Sequence, residues 1–272
     1  MLTRFAPAPT GWLHLGHVLN AEYVWGSHHR VILRIEDHDR ERCRPEYEAG
    51  ILEDLAWLGY VPDFPVVRQS DRDAVYRRGV DALIAQGLVY ACDCTRKDIE
   101  ARAAGADRPA PIDSGAAELV YDGHCRGRRL AIADGVGWRV RMDPGVERFD
   151  DLLAGPQAQD PSGQCGDVLI RDRLGNWTYQ FAVSVDDFDQ EIDLVIRGID
   201  LLASTGRQIR LARLLGRTQP AAFMHHPLLM KSPAQKLSKS DGDTGVRELR
   251  ARGWTPADVK SAAIQALRDG AA

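Results

Sequence analysis

The run Val31-Ile-Leu-Arg-Ile35 narrows the fold of this 272-residue chain more than any other stretch. It is short, β-branched and almost continuously apolar, the pattern of a strand buried on both faces. Helical patterns flank it. Upstream, an apolar segment around Phe5 enters the turn Ala6-Pro-Ala-Pro-Thr-Gly11 and then a helical stretch. Downstream, Glu46 to Leu58 places Ile51, Leu52, Leu55 and Leu58 on one helical face. Asp71 to Gln86 repeats the pattern and stops at Gly87, a candidate C-cap. Strands alternating with helices predict an α/β fold, a parallel sheet with helices on its faces.

The middle of the chain reads differently. Ala103 to Ala117 (AAGADRPAPIDSGAA) is rich in Gly, Ala and Pro, lacks periodicity, and is expected to be a mobile surface loop in an inserted segment. Strand-like runs return at Trp138–Met142, Val168–Ile170 and Leu194–Ile196, followed by a helix from about Asp200 to Leu215. The sequence thus predicts a Rossmann-type sheet split by an insert. A short terminal helix is expected after Thr255, with Thr255 as N-cap and Pro256 in its first position.

Bulk properties exclude little. Apolar residues at 44% and charged residues at 27% are ordinary for a globular protein. No stretch approaches the roughly 18 apolar residues of a membrane span. The start MLTRFAPAPTG has no signal-type apolar region, so a cytoplasmic protein with no membrane partner is expected. A net charge of −4 is neutral on nucleic-acid binding, which would need local basic patches. Arg126, Arg128 and Arg129 form one candidate. Arg207, Arg210, Arg213 and Arg217 form another, although their helical spacing equally suits a solvated helix face. Five cysteines without a secretory signal argue against a disulfide framework.

Two segments carry phosphate-type chemistry. In Pro7-Ala-Pro-Thr-Gly-Trp-Leu-His-Leu-Gly-His17 a rigid turn leads into a helix whose start bears two imidazoles three residues apart. Gly16 permits close backbone approach, and a helix N-terminus favours phosphate. Alone, the two histidines equally suit a metal pair or a surface position. Lys236-Leu-Ser-Lys-Ser240 offers two ammonium groups and two hydroxyls, suited to a polyphosphate or to a solvated turn.

Together and in this order, His14-Leu-Gly-His17 and Lys236-Leu-Ser-Lys-Ser240 resemble the HIGH and KMSKS signatures of class I aminoacyl-tRNA synthetases. The resemblance implies in-line attack of an amino-acid carboxylate on the α-phosphate of ATP, with Mg²⁺ accompanying the nucleotide. Such chemistry depends on positioning and charge stabilisation. By resemblance His14 and His17 act catalytically on the phosphates, Gly16 joins the ATP site, and Lys236 and Lys239 neutralise pyrophosphate, Lys239 above all.

Wider matches point to the glutamyl branch: Thr3-Arg-Phe-Ala-Pro-Ala-Pro-Thr-Gly11, Leu33-Arg-Ile-Glu-Asp37, Leu52-Glu-Asp-Leu-Ala-Trp-Leu-Gly59 and Arg68-Gln-Ser70 resemble glutamyl-tRNA synthetase segments. L-glutamate needs a cation for its side chain and an anion for its ammonium. Arg4, Glu36 and Arg197 stand at strand ends, where open α/β sheets bind ligands. Ordinary ion pairing would also explain them. The resemblance places glutamate among Arg4, Phe5, Ala6, Pro7, Ala8, Glu36, Tyr179 and Arg197; Ala8 departs from the Ser frequent in the family.

The resemblance also sets expected domains. Residues 1–88 would be the first half of the catalytic core, 89–165 an inserted acceptor-binding and zinc segment, and 166–220 the second half. Residues 221–272 would hold the KMSKS-like loop and a helical end, with no anticodon-binding domain. A subgroup of stand-alone glutamyl-type paralogues shares that layout and resembles Tyr179-Gln-Phe-Ala-Val-Ser-Val-Asp-Asp187 and Arg207-Gln208. It implies a monomer that transfers glutamate to queuosine at the wobble position of tRNA(Asp). A non-tRNA acceptor and a silent tRNA-binding paralogue are the alternatives. The same subgroup implies one structural Zn²⁺ per chain on Cys92, Cys94, Tyr121 and Cys125, with His124 as a substitute fourth ligand.

Overall fold

The computed structural model describes residues 1–39, 41–104, 119–232, 235–236 and 245–270. They form two units: Met1–Asp71, Ile192–Ile199 and Ala221–Ala272 in the first, Arg72–Glu191 and Asp200–Pro220 in the second. The strands are β1 (Leu2–Phe5), β2 (Arg30–Ile35), β3 (Val67–Arg68), β4 (Val89–Cys92), β5 (Gly137–Val140), β6 (Glu147–Asp151), β7 (Gly155–Gln159), β8 (Val168–Arg171), β9 (Leu194–Gly198), β10 (Ala222–His226), β11 (Met230–Ser232) and β12 (Gln235–Lys236). The helices are α1 (Leu15–Gly26), α2 (Pro45–Leu58), α3 (Asp73–Ala85), α4 (Arg96–Ala104), α5 (Pro161–Cys165), α6 (Tyr179–Asp189), α7 (Thr205–Leu214), α8 (Val246–Ala251) and α9 (Pro256–Gly270).

In the first unit the strands run β3-β2-β1-β9-β10, every pair parallel. The expected α/β sheet is therefore present. Five of the six β2 residues are buried, as its continuous hydrophobicity requires. Helix α2 begins with Pro45, carries Glu46 and Glu48 in its first turn, and ends on Gly59 at φ +79°. Those residues suit the positive helix start and the left-handed exit. Its Ile51, Leu55 and Leu58 join Phe5, Val18, Val31 and Leu33 in one core. Each such side chain contributes about 1.5–3 kcal/mol by burial. Thr255 and Asp258 exchange hydrogen bonds of 2.8 and 3.3 Å ahead of α9, the capping arrangement its sequence predicts.

The second unit contains the antiparallel set β4-β5-β8 and the hairpin β6-β7. Its larger core joins Tyr76, Val80 and Leu83 to Val140, Ile170, Trp177 and Phe181. The helix expected from Asp200 starts later. Ile199–Ser204 is a 3₁₀ turn in which the Ser204 hydroxyl donates to the Leu201 carbonyl at 2.8 Å, and α7 follows. The Arg207 to Arg217 series is only in part a solvated face, with Arg213 exposed. Arg207 is buried, Arg210 and Arg213 both pair with Glu147, and Arg217 donates to the Asp187 carbonyl. Ala103 and Ala104 close α4, while 105–118 lie outside the described residues. Among the described residues, no helix is long and apolar enough to cross a membrane.

Candidate functional site

Four features of the first unit bear on the phosphate-type chemistry. His14 is the N-cap of α1 in extended geometry, and its Nδ1 accepts the Gly16 amide at 3.0 Å. His17 Nδ1 accepts the His14 amide at 3.1 Å, and the two rings lie 3.9 Å apart. Both imidazoles thus accept through Nδ1, which places a donor N–H on Nε2 in the neutral ring. The pair caps the helix and presents N–H groups where an anion is favoured. Gly16 has a further reason to be glycine: a Cβ there would stand 2.9 Å from His14 Cε1, so the missing side chain makes room for the capping ring.

The HLGH segment is also tied to the far end of the chain. The Val246 amide donates to the Leu13 carbonyl at 2.8 Å, and His14 bridges Gly245. The Arg247 guanidinium lies 4.4 Å over Trp12, whose ring occupies the space a Cβ on Gly50 would need. Of the lysine motif, Lys236 ends β12, its backbone paired with Met230. Its side chain, Lys239 and all of 237–244 lie outside the described residues.

Arg4 on β1 and Arg197 on β9 stand on neighbouring parallel strands. Both are buried, as is Glu36 at the end of β2. Arg4 Nη1 donates to the Ile196 carbonyl at 3.2 Å. Arg197 Nε donates to His225 Nε2 at 2.9 Å, a partner that the sequence reading passed over. Glu36 pairs with Arg34 at 3.3 Å, and its amide donates to the Pro7 carbonyl. The loop that follows β1 is thereby drawn to the end of β2. Phe5 is a core residue whose ring is tilted against Trp25, so toward a ligand only its backbone is available. Tyr179 opens α6 in the second unit, where it lines a cavity of about 710 Å³ with Arg173, Gln180 and Arg207.

The cysteine expectation can be judged by distance. Cys92, Cys94 and Cys125 bring their Sγ atoms within 4.8 Å of one another and could hold a metal ion. Tyr121 Oη lies 3.4 Å from Cys92 Sγ and 4.0 Å from Cys94 Sγ. Tetrahedral coordination with metal–sulfur bonds of about 2.3 Å puts ligand atoms roughly 3.8 Å apart, so this donor set fits a soft divalent ion. His124 is exposed, and its ring is not in the group. Each sulfur also accepts from one guanidinium at 3.4 Å: Arg139 on Cys92, Arg102 on Cys94 and Arg128 on Cys125. Asp122 and Asp93 hold Arg102 and Arg128, and Arg139 stacks 3.7 Å over the Tyr121 ring. The Arg139 guanidinium beside Cys92 favours its thiolate. Burial raises the Cys92 thiol, but hydrogen bonds with Tyr121 and Arg139 outweigh it and hold the group below its ordinary value. Burial and the Cys125 contact push Cys94 up to about 11. The basic residues Arg126 and Arg128 pair with Asp167 and Asp93.

Only the spacing of the cysteines was visible in sequence; the arginines reach them from α4, β5 and the loop after Cys125. His225 offered a faint signal, a His-His pair ending an apolar run.

A family model for the catalytic domain of class I tRNA synthetases (E and Q) matches residues 1–268. A glutamyl-Q tRNA(Asp) synthetase of Rhodobacter capsulatus is 37% identical over 277 residues, covering 96% of this chain and 98% of that protein. One from Bordetella bronchiseptica is 43% identical over 249 residues, covering 88% of this chain and 75% of its own. Among solved structures, a glutamate tRNA ligase from Elizabethkingia meningosepticum in complex with its amino acid matches with a TM-score of 0.76 at 26% identity. That match takes in 94% of this chain and 58% of the ligase, so the chain spans well under two thirds of the ligase's length.

Proposed function

The chain belongs to the class I tRNA synthetases (E and Q), a family of ligases, through their catalytic domain, and on that footing we propose that it activates L-glutamate with ATP and transfers it to queuosine in tRNA(Asp). The observation that carries the reading is the near end-to-end match to a relative named for that reaction. The paired imidazoles at the start of α1 and the two strand-end guanidiniums supply suitable chemistry beside it.

In the first step a glutamate α-carboxylate oxygen forms a bond to the α-phosphorus while the bond to the pyrophosphate oxygen breaks. The nucleophile is already ionised, so no proton need move. His14 and His17 donate through Nε2–H to phosphate oxygens, and the N-terminus of α1 favours the same charge. Lys236 and Lys239 receive the departing pyrophosphate. Mg²⁺ bound with ATP would supply further positive charge against the phosphates. Arg4 and Arg197 hold glutamate carboxylate and Glu36 its ammonium. In the second step a hydroxyl oxygen of the cyclopentenediol forms an ester bond to the activated carbonyl carbon, the bond from that carbon to the AMP phosphate oxygen breaks, and the hydroxyl proton passes to water. Zn²⁺ on Cys92, Cys94, Cys125 and Tyr121 would hold β4 and the segment 121–125 together.

The test is glutamate-dependent ATP–pyrophosphate exchange without tRNA, followed by labelled glutamate transfer to tRNA(Asp) with and without queuosine. Exchange with queuosine-dependent transfer is expected. No exchange removes the activation step; transfer to both tRNAs removes queuosine as acceptor.

A further inference from the structure

Arg197 and His225 are register partners across the parallel pair β9–β10. The Arg197 Nε–H donates to His225 Nε2 at 2.9 Å, and the two residues are only 4% and 2% exposed. Because Nε2 accepts, the imidazole carries its hydrogen on Nδ1 and is neutral in this contact. An apolar neighbour at this place would leave a buried N–H unmatched, and the imidazole satisfies it. Nε lies in the guanidinium plane, so a bond to it also sets the orientation of the terminal nitrogens. The Phe223 ring, on the same strand as His225, stands 5.8 Å from that guanidinium.

We propose that His225 is a positioning residue that holds the Arg197 guanidinium in one plane to receive a carboxylate of the amino-acid substrate. This rests on the reading of Arg197 as a glutamate anchor. His225 itself need touch no substrate. Its contribution is to the ground-state grip on the amino acid, so losing it should weaken glutamate binding more than turnover.

The experiment is pyrophosphate exchange by the full chain, with glutamate and ATP varied separately. His225→Phe keeps a ring but removes the acceptor. It should raise the glutamate KM about tenfold to a hundredfold, as expected for a lost hydrogen bond to a charged group, with kcat and the ATP KM within about threefold. In His225→Gln, Oε1 lies as many bonds from Cβ as the imidazole Nε2, and its glutamate KM should return to within about threefold of the parent. In an Arg197→Ala background, His225→Phe should add nothing. Three results would overturn the proposal: an unchanged glutamate KM in His225→Phe, a Gln variant as impaired as the Phe variant, or effects that add fully to Arg197→Ala. If Arg197→Ala raises the glutamate KM and His225→Phe does not, the positioning role alone falls. If Arg197→Ala leaves that KM untouched, the anchor reading falls and takes the positioning role with it.

Discussion

Asp167 in the second unit and Asp54 in the first are both sealed from solvent, at 2% and 0% exposure. Asp167 receives the Arg126 guanidinium, the Tyr90 hydroxyl and the Met142 amide. Among the described residues neither oxygen of Asp54 has a hydrogen-bond partner. Burial pushes both carboxyls up. At Asp167 the hydrogen bonds from Arg126 and Tyr90 win and hold the group below the usual carboxylate range. At Asp54 the nearby Arg247 and Arg250 charges compensate only partly, and the group is pushed up to about 6. Equal burial with opposite outcomes shows that the partners, not depth, set the ionisation.

The contrast extends beyond the two aspartates. Around the second unit's cysteines and Asp167, cations are matched by acids: Arg102 with Asp122, Arg128 with Asp93, Arg126 with Asp167. That arrangement suits a scaffold. In the first unit Arg4 donates to a carbonyl and Arg197 to an imidazole, neutral acceptors on neighbouring elements.

The comparison breaks most decisively at the cysteines. Cys125→Ser should lower bound zinc from about one per chain toward none and destabilise the second unit by several kcal/mol, read by metal analysis and thermal melting. A parent protein with no metal when purified without chelator would contradict the scaffold reading.

Asp167→Asn comes next. Leaving Arg126 without its carboxylate should destabilise the protein by about 3 kcal/mol at neutral pH in denaturant unfolding. Because the folded-state value is depressed, this contribution is complete above the ordinary 3.8 and fades as pH falls through the folded value. The variant and parent curves should therefore converge in acid.

Asp54→Asn should act with the opposite sign. Its raised value means the penalty of ionisation is absent below about pH 4, grows toward pH 6 and is complete above it. The substitution should stabilise the protein by up to about 3 kcal/mol at pH 8 and be near neutral at pH 4. A destabilised variant at pH 8 would show that the Asp54 charge is answered in the fold.

Much of this protein was legible in its residues. The β2 run, the Pro45 and Gly59 boundaries of α2, and the Thr255 cap are local patterns, and local sterics and burial fix them wherever the chain goes. That the HLGH pair opens a helix was readable for the same reason, though not that the two rings cap it. The cysteine spacing gave a candidate metal set, but not the choice between Tyr121 and His124 as the residue beside it. That depended on which side chain the fold turned inward: Tyr121 is 3% exposed, while His124 faces solvent. Likewise the arginines at the sulfurs, the pairing of Glu147 with Arg210 and Arg213, and the seat of Arg197 on His225 join residues far apart in sequence. Sequence determined the elements and the chemistry available to each. Strand order and side-chain direction then decided which charges met which partners, because those meetings join residues far apart in sequence and burial makes their outcome costly.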